Sequence, residues 1–158
     1  MKTQWKWVLA GAAAVFALAQ VANPSRSNPA VVPGRDLLTA VSAPPGVAAS
    51  LRAACYDCHS YETRWPWYSH VAPASWLVAA DVRDGRERLN FSDWPVAQPE
   101  RAAKRLGRIS EEVGYRNMPP GKYTLLHQDA RLTDTQRQAL MDWADAEAAR
   151  LKAAVTNQ

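Results

Sequence analysis

The sequence predicts an all-α domain, because its hydrophobic residues recur at helical spacing and no segment has the pattern of a strand. Four segments place apolar side chains three or four positions apart, which puts them on one face of a helix. No run of β-branched residues is bounded by turn signals, so we predict no strand. The 158 residues suffice for one domain with one core.

The first helix of the domain is predicted to run through both cysteines of the chain. Val47, Leu51, Ala54, Cys55 and Cys58 follow the spacing of one helix face. We therefore expect the two thiols to lie on the same side of one continuous helix.

The next two helices are bounded by prolines and glycines. One is predicted over residues 73–89, with Gly85 weakening its later part. The other follows Pro99 and stops at Gly114. Its apolar face consists of Ala102, Leu106, Ile109 and Val113.

The last helix begins with a capping-box sequence, in which Thr133 is followed three positions later by Gln136. Two long loops that contain proline, residues 60–72 and 115–132, connect the helices. The inner side of the last helix comprises Leu140, Trp143 or Ala144, Ala148 and Leu151.

Residues 1–22 have the layout of an export signal. Lys2 and Lys6 precede a short apolar run, residues 7–22. The run is short for a membrane span, which needs roughly 20 apolar residues.

Two alternatives remain open for this segment. Residues 17–19 would suit a signal peptidase, which would release a soluble periplasmic domain. Trp5 and Trp7 would instead suit the aromatic belt of an uncleaved anchor at the periplasmic face of the cytoplasmic membrane. Both alternatives place the domain outside the cytoplasm.

An extended linker is predicted over residues 23–45, because five of these residues are prolines. Such a composition excludes a long helix or a central strand. The linker would separate the N-terminal segment from a domain over residues 46–155.

Beyond residue 22 the charge is nearly balanced, with all 15 acidic residues against 17 of the 19 lysines and arginines. A domain this close to neutral lacks the basic footprint of nucleic-acid binding. One basic run lies along a side of the third helix, and we interpret it as a solvated face. The alternative is a docking patch for an acidic redox partner. The run consists of Arg101, Lys104, Arg105 and Arg108.

Both cysteines lie in one short stretch, CYDCHS at residues 55–60. A thioredoxin-type pair needs a preceding strand, which is not predicted. A structural zinc site needs four ligands, and the other histidines, His70 and His127, are far apart. A disulfide across two residues closes too small a loop to stabilise much. The fourth chemistry, attachment of a c-type haem by Cys-x-x-Cys-His, fits best.

The spacing of this motif suits one porphyrin. Residues three apart on a helix have Cβ atoms about 5–6 Å apart, so Cys55 and Cys58 can reach two vinyl groups and form thioethers. His59 then directs its imidazole at the iron as the proximal ligand. One motif predicts one haem c per chain.

The sixth coordination position has three candidates. We expect Met118, because it lies in the stiff, proline-rich loop NMPPGKY, residues 117–123. The alternatives are His127 and His70. A His/Met pair has a higher reduction potential than a bis-His pair, because the thioether favours ferrous iron.

The chain resembles the haem-binding domain family of exported, cytochrome-c-like bacterial proteins. The matching words are CYDCHS, WPWYS, VAP followed by SW, LNFS and NMPPGKYTLLHQDARLT. The resemblance implies a small cytochrome-c-like helical domain wrapped around one covalently bound haem and preceded by an uncleaved N-terminal hydrophobic helix. It also implies haem c on Cys55 and Cys58, with His59 proximal and Met118 distal. His127 lies in a matching word and remains a competitor.

Three functions are compatible with these residues. The first is a mono-haem c-type cytochrome that passes electrons to an unidentified redox partner and is not an enzyme. The second is a haem-based sensor or small-ligand-binding module with an open or displaceable sixth site. The third, a peroxidase, lacks an obvious distal acid/base pair. Candidates for binding the haem propionates are Arg52, Arg64 and Lys122.

Overall fold

The computed structural model describes residues 2–156, with side chains from residue 4 onward. Within this range the chain forms α-helices and short 3₁₀ turns but no strand, which confirms the predicted all-α class. The helices are α1 (Lys2–Val21), α2 (Leu37–Ala40), α3 (Pro45–Ala54), α4 (Tyr56–His59), α5 (Ala74–Arg88), α6 (Pro99–Gly114), α7 (Gly121–Leu126) and α8 (Asp134–Thr156). The 3₁₀ turns are Trp67–His70, Phe91–Asp93 and Gln128–Ala130.

The core forms where α6 packs on α8, with α3 beside them. The apolar face predicted for α6 is confirmed, since all four of its residues are buried. The helix also begins at Pro99 and ends at Gly114, as expected from its sequence. The buried residues that α8 contributes are Leu140, Trp143, Ala144 and Ala148.

The start of α8 contains the predicted capping box. The Thr133 N–H donates to Gln136 Oε1 at 2.9 Å, and the Gln136 N–H donates to Thr133 Oγ1 at 3.2 Å. This reciprocal pair satisfies two backbone donors that the first turn of a helix leaves without a partner.

The second half of the segment predicted as a linker is packed into the domain. Leu37 and Val41 are buried core residues. Asp36 caps α2 by accepting from the Leu38 N–H at 2.9 Å, and it also accepts from the Tyr56 hydroxyl at 2.9 Å. Residues 36–41 therefore belong to the domain rather than to an extended linker. The prolines exclude a long helix but leave room for one apolar turn between them.

The predicted continuous helix through Cys58 is wrong, because the chain bends at Cys55. α3 ends at Ala54, and Cys55 has φ −129° and ψ −39°, which lies outside helical values. α4 is a separate turn, in which the His59 N–H donates to the Cys55 carbonyl at 3.0 Å. The Tyr56 hydroxyl donates to Asp36, and Asp57 accepts from Arg64 and Tyr123. These contacts with other segments favour the bend over a continuous helix with one apolar face.

The predicted loop over residues 115–132 contains α7 and a 3₁₀ turn. α7 has only six residues, which is too short for an apolar period to be visible in the sequence. It follows Pro120, whose extended backbone, with ψ 142°, precedes the helix.

α1 ends against the domain. Gln20 Oε1 accepts from the Ala72 N–H at 2.9 Å, and the Trp76 indole N–H donates to the Ala22 carbonyl at 3.0 Å. Among residues 2–156, no helix combines the length and the apolar character that crossing a bilayer requires.

Candidate functional site

His59 is oriented by two backbone carbonyls. Its Nδ1 lies 2.9 Å from the Gly85 oxygen and 2.9 Å from the Leu89 oxygen. Both partners only accept, so Nδ1 carries the proton and Nε2 keeps a free lone pair. Burial lowers the pKa of His59, and the two carbonyl contacts only partly oppose this effect. The side chain is therefore a neutral imidazole, the form that binds a metal ion.

The carbonyls reach His59 because α5 approaches the cysteine motif closely at Gly85. A Cβ atom at this position would lie 2.6 Å from the Cys58 carbonyl oxygen. Side chains do not tolerate such a distance, so only glycine fits here. Gly85, which the sequence marked as a weak point of the helix, is thus what allows α5 to pack on the motif.

Two neighbouring cavities adjoin His59. The larger has a volume of about 220 Å³ and includes Cys55 in its wall. The smaller has a volume of about 150 Å³ and includes Cys58. The residues that border both are Ala54, His59, Arg88 and Met118.

The larger cavity is apolar apart from its rim. Apolar side chains from the end of α5, the following 3₁₀ turn and α6 form its walls, which suits a flat hydrophobic ligand. These side chains are Leu89, Phe91, Ile109 and Val113.

The loop that carries Met118 is held by hydrogen bonds from its own backbone and from α8. The N–H groups of Asn117 and Met118 both donate to the Glu112 carbonyl, at 3.0 and 3.1 Å. Arg137 on α8 donates through Nη1 to the Val113 carbonyl at 2.7 Å and to the Met118 carbonyl at 3.1 Å. The thioether of Met118 is therefore presented from a braced loop.

His127 lies beside Tyr123 and Tyr68 and borders neither of the two cavities at His59. Its ring stacks on Tyr123 at 4.1 Å between centroids, and Nδ1 donates to the Tyr123 carbonyl at 3.0 Å. Nε2 is 3.4 Å from the Tyr68 hydroxyl. These residues border a third cavity of about 200 Å³, whose wall includes Cys58 but not Cys55, His59 or Met118.

Cys55, Cys58, His59 and Met118 thus border these two neighbouring cavities. Of these four residues, His127 shares a cavity only with Cys58. His70 is exposed in the 3₁₀ turn that precedes α5 and borders neither cavity. The identity of the distal ligand stays a prediction.

The two thiols are poor thiolates in this environment. Burial, followed by the charge of Cys58, raises the pKa of Cys55 to about 12. Burial, followed by Asp81 and Asp57, raises the pKa of Cys58 to about 11. Thiol–disulfide exchange needs a thiolate, so this environment disfavours it.

A buried carboxylate, Asp57, ties the cysteine motif to α7. It accepts from Arg64 Nη2 at 2.9 Å and from the Tyr123 hydroxyl at 2.7 Å. Burial alone would raise the pKa of Asp57, but these donors outweigh it and hold that pKa below its ordinary value. Sequence reasoning missed this pair, although Asp57 and Tyr123 lie in two of the words that carry the family resemblance.

The side chains at these cavities form a donor set that fits a haem. The set consists of a neutral imidazole with Nε2 free, two neighbouring thiols and a thioether on a loop that is held in place. Comparison with known proteins agrees with this chemistry. The model of the haem-binding domain family matches residues 14–146. The chain belongs to the haem-binding domain family.

One curated relative adds to this finding. The chain is 28% identical over 97 residues to cytochrome c peroxidase Ccp of Escherichia coli (strain K12). The match covers 56% of this chain and 20% of that protein, so the chain spans about a fifth of the relative's length. No solved structure matches the chain significantly.

Proposed function

We propose that the chain is a mono-haem c-type cytochrome that transfers electrons on the periplasmic side of the cytoplasmic membrane. The observation that supports this best is that Cys55, Cys58, His59 and Met118 all border one pair of neighbouring cavities, the larger of them with apolar walls. Haem bound there would supply one-electron chemistry at its iron.

Each of these side chains has a distinct role in the proposal. Cys55 and Cys58 hold the group covalently through thioether bonds. His59 binds the iron through Nε2, while the Gly85 and Leu89 carbonyls fix the orientation of its ring. Met118 would be the second protein ligand to the iron. Two protein ligands would leave no position open for a substrate, which favours electron transfer over turnover.

The ligand assignment is tested by the absorption spectrum of the oxidised protein, which shows a weak sulfur-to-iron band when methionine is bound. We expect Met118→Ala to abolish this band. His127→Ala should retain it, because His127 borders a cavity that includes neither His59 nor Met118. Met141→Ala is the matched control for loss of a thioether, since Met141 packs beside Gly114. Absence of the band from the unaltered protein, or its persistence in Met118→Ala, would overturn the assignment of Met118.

Export is proposed from residues 1–22 and is tested by the mass of the mature protein. The mass reports the addition of haem and the retention of the N-terminal segment in one measurement. Retention would favour an anchored form, and cleavage a soluble periplasmic one.

Similarity to a cytochrome c peroxidase favours one second candidate, a peroxidase. This activity would require the sixth position to open, as would a haem-based sensor of small ligands. Steady turnover of hydrogen peroxide by the unaltered protein would favour the peroxidase. Rapid carbon monoxide binding by the ferrous protein without peroxide turnover would favour the sensor, and the absence of both would favour electron transfer.

A further inference from the structure

Three arginines border the larger cavity beside His59. Arg88 is the last residue of α5, and Arg105 and Arg108 lie on α6. The wall contains one acidic residue, Glu112. The rim of an otherwise apolar cavity therefore carries an excess of two positive charges, contributed by two different helices.

Two of these guanidinium groups have no partner in the part of the chain that the structure describes. Neither Arg88 nor Arg108 forms a side-chain hydrogen bond or an ion pair there. Arg105 differs, because its Nη1 donates to the Asp93 carbonyl at 2.8 Å and its guanidinium lies over the Trp94 ring. Arg105 is thus a fixed cation, whereas Arg88 and Arg108 retain all their donors.

The acidic residues of the smaller cavity do not neutralise Arg88. Asp81 pairs with Lys122 at 2.7 Å, and Asp84 pairs with Arg83 at 2.8 Å. Both carboxylates already have cationic partners of their own.

The basic residues that the sequence suggested for binding propionates are also occupied. Arg52 pairs with Glu62 at 3.1 Å, and Arg64 pairs with Asp57 at 2.9 Å. Lys122 borders the smaller cavity but is held by Asp81. Among the described residues, Arg52, Arg64 and Lys122 thus have carboxylate partners, whereas Arg88 and Arg108 do not.

We propose that Arg88 and Arg108 bind the propionate carboxylates of the haem, with Arg105 as a fixed third cation beside them. This assignment rests on the proposed function. A guanidinium presents its donors as a planar fork that matches a carboxylate, and such pairs are stronger than neutral hydrogen bonds. Two propionates would also neutralise the excess of two charges at the rim. The basic run on α6, interpreted from the sequence as a solvated face, would then contribute Arg105 and Arg108 to the cofactor site.

The assignment predicts an effect on the reduction potential. Oxidised haem carries one more positive charge than reduced haem, so nearby cations disfavour the oxidised state. Removing a guanidinium from the propionates should therefore lower the midpoint potential, and it should change the vibration of the propionate it bound.

The test uses the full haem-loaded chain with Arg88→Gln, Arg108→Gln and the double substitution. Arg101→Gln is the matched control on α6, and Arg52→Gln is the control for a basic residue already paired with a carboxylate; neither borders the cavity. We expect both single variants to lower the midpoint potential more than either control. The double variant should lower it further, and resonance Raman should show a shifted propionate bending band in the site variants alone.

The outcomes separate this assignment from the proposed function. The mass of the unaltered protein is measured first, and a chain without covalent haem overturns both. If the chain carries haem but Arg88→Gln and Arg108→Gln match the controls in midpoint potential and Raman band, the assignment of the two arginines is wrong and the proposed function stands. Arg108→Lys keeps the charge but loses the fork, so it should preserve the potential better than Arg108→Gln while still shifting the band. Both arginines are exposed, so their substitution should not unfold the protein. A change in midpoint potential or Raman band would therefore not be due to misfolding.

Discussion

At the scale of single residues, the geometry of the site depends on Gly85, because a residue with a side chain would not fit there. Gly85 allows α5 to approach the Cys58 carbonyl, and its own carbonyl accepts from His59 Nδ1. One position therefore sets both the packing of α5 on the motif and the orientation of the imidazole. This combination explains why a glycine interrupts an otherwise regular helix, at a cost of roughly 1 kcal/mol in helix propensity.

Gly85→Ala should destabilise the protein even though alanine is the better helix former. The new Cβ would meet the Cys58 carbonyl oxygen at 2.6 Å, and that backbone atom cannot move away alone. We expect a loss of about 1–3 kcal/mol in the free energy of unfolding, as for other overpacked sites. Urea denaturation of the haem-loaded protein measures it.

Gly107→Ala is the matched control for this substitution. Gly107 lies within α6, and a Cβ there would meet nothing within 4 Å. Its replacement should stabilise the protein by about 0.5–1 kcal/mol through helix propensity. If both variants were stabilised alike, the close approach at Gly85 would not limit the packing of α5.

At the scale of elements, the sequence predicts long regular helices better than short ones. α6 was identifiable because four apolar residues recur on one face between a proline and a glycine, and α8 because its capping box precedes such a face. α2 and α7 have four and six residues, and their periods are too short to detect. The bend at Cys55 depends on contacts of Tyr56 and Asp57 with distant segments, which no local pattern contains.

The same distinction holds for the site. Cys55, Cys58 and His59 are adjacent in sequence, so their motif identifies them. Arg88 and Arg108 come from different helices and meet only in the folded chain. Their role is visible only from the cavity they share and from the partners they lack.

The contact between α8 and the Met118 loop gives a prediction at this scale. Arg137→Ala removes the donors to the Val113 and Met118 carbonyls, each worth about 1 kcal/mol. The loop should then open more often, because the population of the open state rises several-fold for each kcal/mol lost. We expect the ferrous variant to bind carbon monoxide faster than the unaltered protein, as stopped-flow absorption measures.

Arg150→Ala is the control for this experiment. Arg150 lies on the same helix but, among residues 4–156, its side chain pairs only with Glu147, at 2.7 Å. Its removal should leave carbon monoxide binding unchanged. Equal rates in all three proteins would mean that the bonds from Arg137 do not hold the loop closed.

At the scale of the whole molecule, the cavities bordered by His59 affect the stability of the folded domain. α3, the 3₁₀ turn at Phe91–Asp93, the end of α5 and α6 all contribute walls to the larger cavity. If it stayed empty, its volume of about 220 Å³ would cost on the order of 5 kcal/mol at roughly 24 cal/mol per Å³, an upper limit because its rim is exposed. That is comparable to the whole stability of a small domain. Folding and haem attachment are therefore expected to be coupled.

This coupling is tested by comparing the same chain with and without haem. Protein from a host that lacks cytochrome maturation should unfold at a lower urea concentration than protein from a competent host. It should also lose near-ultraviolet circular dichroism while keeping much of its helical far-ultraviolet signal. The helical signal should persist because α6 and α8 also pack against each other, away from the cavity. Cys55→Ala combined with Cys58→Ala, produced in the competent host, should resemble the haem-free chain. Equal urea midpoints for the haem-loaded and haem-free forms would show that the domain folds without needing the group its cavities fit.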